Sequence, residues 1–223
     1  MKTLETRAVT KIFKSGSTEV RALTDISLSF EAGELTVVMG PSGSGKTTLL
    51  SILGCVLSPT SGDITILGQK VNGLSEKERR RLRLGKIGFI FQDFNLLDAL
   101  TVRENVAMAN QLRGDSRAAG LKNSEKLLTD VGLCHRLDFL PKDLSQGEKQ
   151  RVAIARAFMN DPNIIIADEP TANLDSRTGQ DIIAKIGELG ENKTTIIATH
   201  DERITQLADR VVRIEDGRAV EMS

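Results

Sequence analysis

"LTVVMGPSGSGKTTLLSIL", residues 35–53, decides how the rest of the chain is read. Its first five residues form a continuous apolar run, as in a strand covered on both faces. From Thr47 onward the apolar spacing is that of a helix. Between the two, Gly40, Pro41, Ser42, Gly43, Ser44, Gly45, Lys46 and Thr47, with Thr48 following, match G-x-x-x-x-G-K-[ST] in the strand–loop–helix setting the pattern requires. The glycines let the backbone curl until its N–H groups converge on phosphate oxygens. Lys46 then sets a compact charge on the β and γ phosphates, and the Thr47 hydroxyl can ligate Mg²⁺. A glycine-rich turn that only capped a helix would have no use for the lysine. The stretch predicts a nucleotide site.

Outward from it, short apolar runs alternate with helical patterns, which predicts an α/β fold with a mainly parallel sheet. Buried strands are expected at 86–91 ("KIGFIF"), 163–167 ("NIIIA"), 194–199 ("TTIIAT") and 210–214 ("RVVRI"). "ISLSF" (26–30) and "DITIL" (63–67) alternate instead, as half-exposed antiparallel strands do, so a small antiparallel sheet is expected beside the core. From about 95 to 160 no strand pattern appears. Thr101 and Glu104 form a capping-box start to "VRENVAMANQL", and "SEKLLTDVGL" (124–133) reads as a further helix, so a helical insertion between core strands is expected. The basic run "EKERRRLRLGK" (76–86) reads as a solvated helix face.

The bulk numbers agree with this reading. The 223 residues suit one large domain, and 39% hydrophobic with 27% charged residues is ordinary for a globular protein. Thirty basic residues balance thirty acidic ones, which gives no general nucleic-acid footprint. Cys55 and Cys134 lack metal-ligand spacing and are expected to be reduced thiols. No apolar run approaches the roughly 20 residues that span a bilayer, and "MKTLETRAVTKIF" has no signal-peptide core.

Further chemistry gathers at strand ends. "IIIADEP" (164–170) puts two carboxylates after a buried strand, at the edge where open α/β sheets bind ligands. Asp168 can hold Mg²⁺, and Glu169 can polarise a water for in-line attack on a γ phosphate. His200 follows "TTIIAT" and Gln92 follows "KIGFIF", so both are expected at the edge that carries the phosphate loop. Finally, "LSQGEKQRVAIARA" (144–157) starts a helix with Ser145 and Glu148 in capping-box spacing, yet adds Gly147, which admits close approach, at a helix N-terminus, which attracts anions.

In this order the pieces resemble the ATP-binding cassette (ABC) family of transporter ATPases over nearly the whole chain. Residues 40–47 look like its Walker A, "IIIADE" like Walker B, Gln92 like the Q-loop glutamine, His200 like the switch histidine and "NLD" (173–175) like the D-loop. "LSQGE" (144–148) takes the place of the signature, usually L-S-G-G-Q, with Gln146 for the first glycine and Glu148 for the glutamine. The second change sets a carboxylate beside a polyanion unless it folds back onto its own N-cap.

The resemblance implies one ABC ATPase domain over 1–223. Its P-loop NTPase (RecA-like) core, with an antiparallel β part, would comprise 1–94 and 160–223, and its helical signature subdomain 95–159. It implies ATP as substrate, with Phe13 in "VTKIFKSGS" stacking on adenine, residues 40–48 on the phosphates, and Ser145 and Gly147 on the nucleotide of a second copy packed head to tail. Glu169, His200 and Gln92 would be catalytic, and Thr47, Gln92 and Asp168 would hold Mg²⁺. It also implies an integral membrane subunit as partner, on the cytoplasmic face of the inner or plasma membrane, and no direct nucleic acid. The sequence looks closest to the macrolide-exporter and lipoprotein-release branch, which implies export, lipid or lipoprotein release, or transmission of motion. The alternative is a soluble ABC ATPase acting on a nucleic-acid or ribosomal partner; such proteins usually carry a long coiled coil or tandem cassettes, and this chain has neither pattern. A lone kinase or GTPase is disfavoured, because "ENKTT" (191–195) does not fit the N-K-x-D guanine motif.

Overall fold

Strands β1 (Lys2–Ser15) and β2 (Thr18–Ile26) open the chain as a long antiparallel hairpin that the apolar pattern does not announce. The structure is a computed structural model and describes residues 1–16 and 18–222. Register shifts interrupt β1 against each of its partners, and Ala8 takes a left-handed φ of 47°, so the period-two alternation is broken where a reader would look for it. "ISLSF" is not one strand. Ile26 ends β2, residues 27–28 lie outside any strand, and β3 (Ser29–Glu31) resumes antiparallel pairing further along β1. Asp25 sits at φ 52°, and Leu28 is held out of the ladder by Thr6, whose N–H donates to its carbonyl and whose hydroxyl accepts its N–H at 2.9 Å. With β5 (Ser61–Ile66) and β6 (Gln69–Lys70), these strands make an antiparallel sheet in the order β2-β1-β5-β6, with β3 also on β1.

That sheet belongs to a compact unit of residues 1–80 and those from 192 onward. The same unit holds the parallel strands expected from the sequence. β4 (Leu35–Met39) lies between β9 (Thr194–Thr199) and β10 (Arg210–Glu215), parallel to both, and β11 (Arg218–Met222) closes antiparallel on β10. Helix α1 (Lys46–Leu53) leaves the loop after β4 and buries Leu49, Leu50, Ile52 and Leu53.

The second unit comprises residues 81–191. The basic helix α2 (Glu76–Lys86) runs into it and buries only Leu82, as a solvated face should. β7 (Ile87–Ile90) pairs in parallel with β8 (Ile164–Asp168), whose five residues are all buried. Between them, the regular elements among the described residues are helices: α3 (Val102–Arg113), α4 (Arg117–Asp130) and α5 (Gln146–Phe158), with α6 (Ser176–Leu189) following β8. The capping box of Thr101 and Glu104 forms as expected. The next helix does not start at Ser124. It begins seven residues earlier, capped by Ser116, because the buried positions of its first two turns are Gly120 and Ser124, with a large apolar residue, Leu128, only in the last turn, and it ends at Asp130. Helix α5 packs against α3, α4, α6 and β7, and is buried on most sides. Gly88 permits the β7 contact: a Cβ there would lie 2.3 Å from the Ala157 carbonyl oxygen.

Candidate active site

The loop between β4 and α1 is clamped by backbone. Gly40 has φ 156° and Gly45 φ 107°; a Cβ on Gly40 would meet the Ile214 carbonyl at 2.2 Å, and one on Gly45 the Ala22 carbonyl at 2.5 Å. The Gly217 N–H donates to the Ser44 carbonyl at 3.0 Å, which ties the loop to the β10–β11 turn. Any side chain at either glycine would break this fit.

Within the loop, the Lys46 ammonium donates to the carbonyls of Gly40 at 2.7 Å and Pro41 at 3.1 Å, so its charge is centred inside the curl with only 7% of the residue exposed. The Ser44 hydroxyl is buried beside it and has no hydrogen-bond partner. A buried charge with an unsatisfied hydroxyl is a costly arrangement for a turn and a useful one for an anion with several acceptor oxygens. Thr47 is exposed and Thr48 half-buried.

β4 and β9 are in register with Met39 opposite Thr199. Gly40 and His200, each one residue further on, therefore leave the sheet side by side, and both line an open cleft of about 1240 Å³. Asp201 follows. Arg203 grips its carboxylate with two N–H groups at 2.8 and 2.7 Å, which outweighs burial and holds its pKa below the usual carboxylate value. Phe13 lies on β1 in the same unit, 41% exposed, with the Lys11 ammonium 5.1 Å from its ring centre.

The remaining predicted residues lie in the second unit. β7 and β8 are in register with Ile90 opposite Ala167, so Gln92 and the Asp168–Glu169 pair leave the same edge. The strand before Gln92 ends at Ile90, two residues short of it; Gln92 is exposed, and its carbonyl accepts from Asn173 at 3.3 Å. Asp168 is buried at the end of β8. Glu169 adopts φ 46°, an uncommon left-handed conformation for a non-glycine residue, where the strand breaks into the turn that follows. The oxygen donors of Thr47, Gln92 and Asp168 are of the hard type that Mg²⁺ takes.

At α5, Ser145 is exposed, and its hydroxyl accepts from the Glu148 N–H at 3.3 Å. Glu148 folds back as the capping box requires: one carboxylate oxygen accepts from the Ser145 N–H at 2.8 Å and the other from Arg136 at 2.9 Å. Burial pushes its pKa up, but the Ser145 bonds and Arg136 pull harder, and the net direction is down. Gly147 is buried against α6, where a Cβ would lie 2.7 Å from the Thr178 methyl.

Two residues of α5 were not anticipated. Gln150 donates to the Pro170 carbonyl at 2.8 Å, and Arg156 donates to the carbonyls of Phe94, at 2.6 Å, and Asn95. Their partners are backbone atoms, and side-chain-to-backbone tethers leave no pattern in a sequence. Arg156 also lines a groove of about 320 Å³ beside β7, together with Leu97 and Leu112, each about half exposed.

A strand, a backbone-clamped glycine loop with a centred lysine, and a helix, set in an α/β fold, define a P-loop nucleotide hydrolase. A family model described as ABC transporter matches residues 23–172, and the chain belongs to that family. It is an ABC-type ATPase, the ATP-binding subunit of a transporter. Among its relatives, the lipoprotein-releasing system ATP-binding protein LolD of Shewanella denitrificans is 43% identical over 96% of this chain and 93% of that protein. A Staphylococcus haemolyticus ATP-binding protein named for hemin import, HrtA, is 44% identical over 96% and 98%. The macrolide export ATP-binding/permease protein MacB of Burkholderia pseudomallei is 44% identical over 97% of this chain, which spans 33% of that longer protein. The ATP-binding cassette MJ0796, solved as a post-hydrolysis dimer bound to ADP and Pi, superposes with a TM-score of 0.90 at 37% identity, covering 99% of both chains. Among the described residues, no helix is long and apolar enough to cross a membrane.

Proposed function

We propose that this chain binds ATP in the 40–48 loop, closes head to tail with a second copy, and uses hydrolysis to reopen, driving a separate membrane subunit that exports or releases a lipid, lipoprotein or drug, or transmits motion. One observation carries the reading: the Lys46 ammonium at 2.7 Å from the Gly40 carbonyl, beside a buried Ser44 hydroxyl with no partner. Phosphate oxygens would take over both donors. Glu169 accepts a proton from the attacking water as the new P–O bond forms and the bond to the departing ADP breaks. His200 and Gln92 orient water and γ phosphate, and Phe13 stacks on the adenine. Thr47, Asp168 and Gln92 would hold Mg²⁺, which neutralises phosphate charge when bound. Ser145 and the Gly147 backbone face the nucleotide of the second copy. A helix terminus is worth only about 0.3–2 kcal/mol to an anion, enough to tip a dimerisation equilibrium rather than to bind ATP alone. In this reading, residues 95–159 act as the signature-bearing subdomain, and 1–94 with 160–223 as the nucleotide-binding core.

The groove lined by Arg156 and by half-exposed, apolar Leu97 and Leu112 suits a short amphipathic helix of the membrane subunit, which would hold the chain at the cytoplasmic face. The test is to purify Glu169→Gln with ATP and follow it by gel filtration, then use it to capture partners from gently solubilised membranes. An ATP-dependent dimer that captures a multi-spanning membrane protein is expected. A variant that stays monomeric at saturating ATP removes the sandwich, and recovery of only ribosomal or DNA-repair proteins replaces the transporter with a soluble ABC ATPase.

A further inference from the structure

Gln150 is fully buried in the middle of α5, and of its two polar side-chain atoms one is partnered and the other is not. Its amide N–H donates to the Pro170 carbonyl at 2.8 Å, and its Oε1 is buried without a donor. For packing alone this is a poor choice, since an unsatisfied buried acceptor is destabilising and leucine or methionine would fill the space. The bond that it does make falls on the residue after Glu169. Glu169 is held at φ 46°, and such a conformation persists only where the surroundings over-determine it. The Gln150 tether is one such determinant, because it fixes the Pro170–Thr171 peptide, the second peptide after the Glu169 Cα. Gln150 also lies little more than one helical turn from Ser145, at the end of α5 that would meet the second copy's nucleotide.

We infer that Gln150 is a positioning residue for Glu169, which makes the carboxylate's placement depend on the placement of α5. Within one copy, any shift of α5 on meeting a partner's nucleotide is passed through one hydrogen bond to the turn that carries the catalytic carboxylate. The inference rests on the reading of Glu169 as general base. It concerns how that base is aimed, not how ATP is bound, so Gln150 should govern kcat and leave nucleotide affinity alone.

The test compares Gln150→Leu, Gln150→Glu and Val152→Ala with the unaltered chain, measuring kcat, KM, ATP affinity and Tm. Val152 is buried in the same helix and has no role in the proposed chemistry. Gln150→Leu should lower kcat on the order of tenfold to a hundredfold, as small displacements of catalytic groups do, with ATP affinity unchanged. Gln150→Glu supplies a readout that mere packing would not move. Its neutral carboxyl can donate to the Pro170 carbonyl and its ionised form cannot, so its kcat relative to the unaltered chain should rise as pH falls. Val152→Ala should lower Tm and leave kcat within about twofold. The inference is overturned if Gln150→Leu keeps full kcat, if its loss is matched by Val152→Ala at equal Tm, or if the Gln150→Glu ratio is flat with pH. Failure of the unaltered chain to hydrolyse ATP would instead remove the functional reading beneath it.

Discussion

The Glu148 carboxylate lies 2.9 Å from the Arg136 guanidinium while its other oxygen accepts the Ser145 N–H at 2.8 Å. The acidic side chain at the fifth position of the signature segment is thus turned back onto its own N-cap, and its charge is met by an arginine that is itself stacked 4.6 Å over Phe139. Glu148→Gln keeps a capping-box acceptor but loses the charge pair, so it should destabilise the chain by about 1 kcal/mol. The folded pKa is lowered, so this contribution is fully present above the unfolded carboxylate value of about 4.3 and lost as pH falls through the lower folded one. Urea unfolding of both proteins from pH 7 downward should show their difference closing in that window. A difference that stays constant to the acid end would mean the pair is not what Glu148 contributes.

Lys46→Met retains the aliphatic stem in a buried position and removes the ammonium that faces the Gly40 and Pro41 carbonyls. ATP turnover should fall by at least about 10²-fold, the scale set by losing an electrostatic stabiliser of a transferring phosphoryl group. Circular dichroism should be unchanged. Normal turnover in this variant would show that the loop is not where hydrolysis occurs.

Arg156 is largely buried, and burial draws its pKa down, yet it donates to the carbonyls of Phe94 and Asn95, both held at left-handed φ of 59° and 49°. Lysine has a shorter reach and a compact ammonium, without the planar fork that meets these two carbonyls with separate nitrogens. Arg156→Lys should therefore free the segment after Gln92. Amide exchange of residues 93–97 should accelerate at least about tenfold, while residues 164–168 of β8 stay protected. Equal exchange in both proteins would leave the left-handed pair explained by some other contact.

What could be read from the sequence divides along physical lines. β4, β8, β9 and β10 stand out because buried parallel strands are continuous apolar runs. β1 and β2 do not, because bulges at Ala8 and near Lys11 break the alternation on which a half-exposed strand is recognised. The start of α4 was hidden because the buried positions of its first half are glycine and serine, and its one buried leucine, Leu128, comes near its end. In the candidate site, the positions of Lys46 at the start of α1, of Asp168, Glu169 and His200 at or just past strand ends, and of Gln92 two residues past β7 followed from motif and period. The tethers of Gln150 and Arg156 could not, since a backbone carbonyl has no residue type.

Gly147 and Thr178 set the distance between the start of α5 and α6. A Cβ on Gly147 would stand 2.7 Å from the Thr178 methyl, and Thr178 cannot retreat freely because its N–H donates to Asp175, the N-cap of α6, at 3.0 Å. Gly147→Ala should cost about 1–3 kcal/mol through overpacking, despite alanine's better helix propensity. Thr178→Ser removes the obstructing methyl while keeping the hydroxyl and the backbone bond. The double variant should recover most of the loss, giving a coupling well outside the few tenths of a kcal/mol expected of independent sites. If the two changes prove additive in thermal unfolding, the close approach is not what calls for glycine, and the closeness of a second copy's nucleotide becomes the reason to test next, by measuring ATP-dependent dimerisation of Gly147→Ala alone.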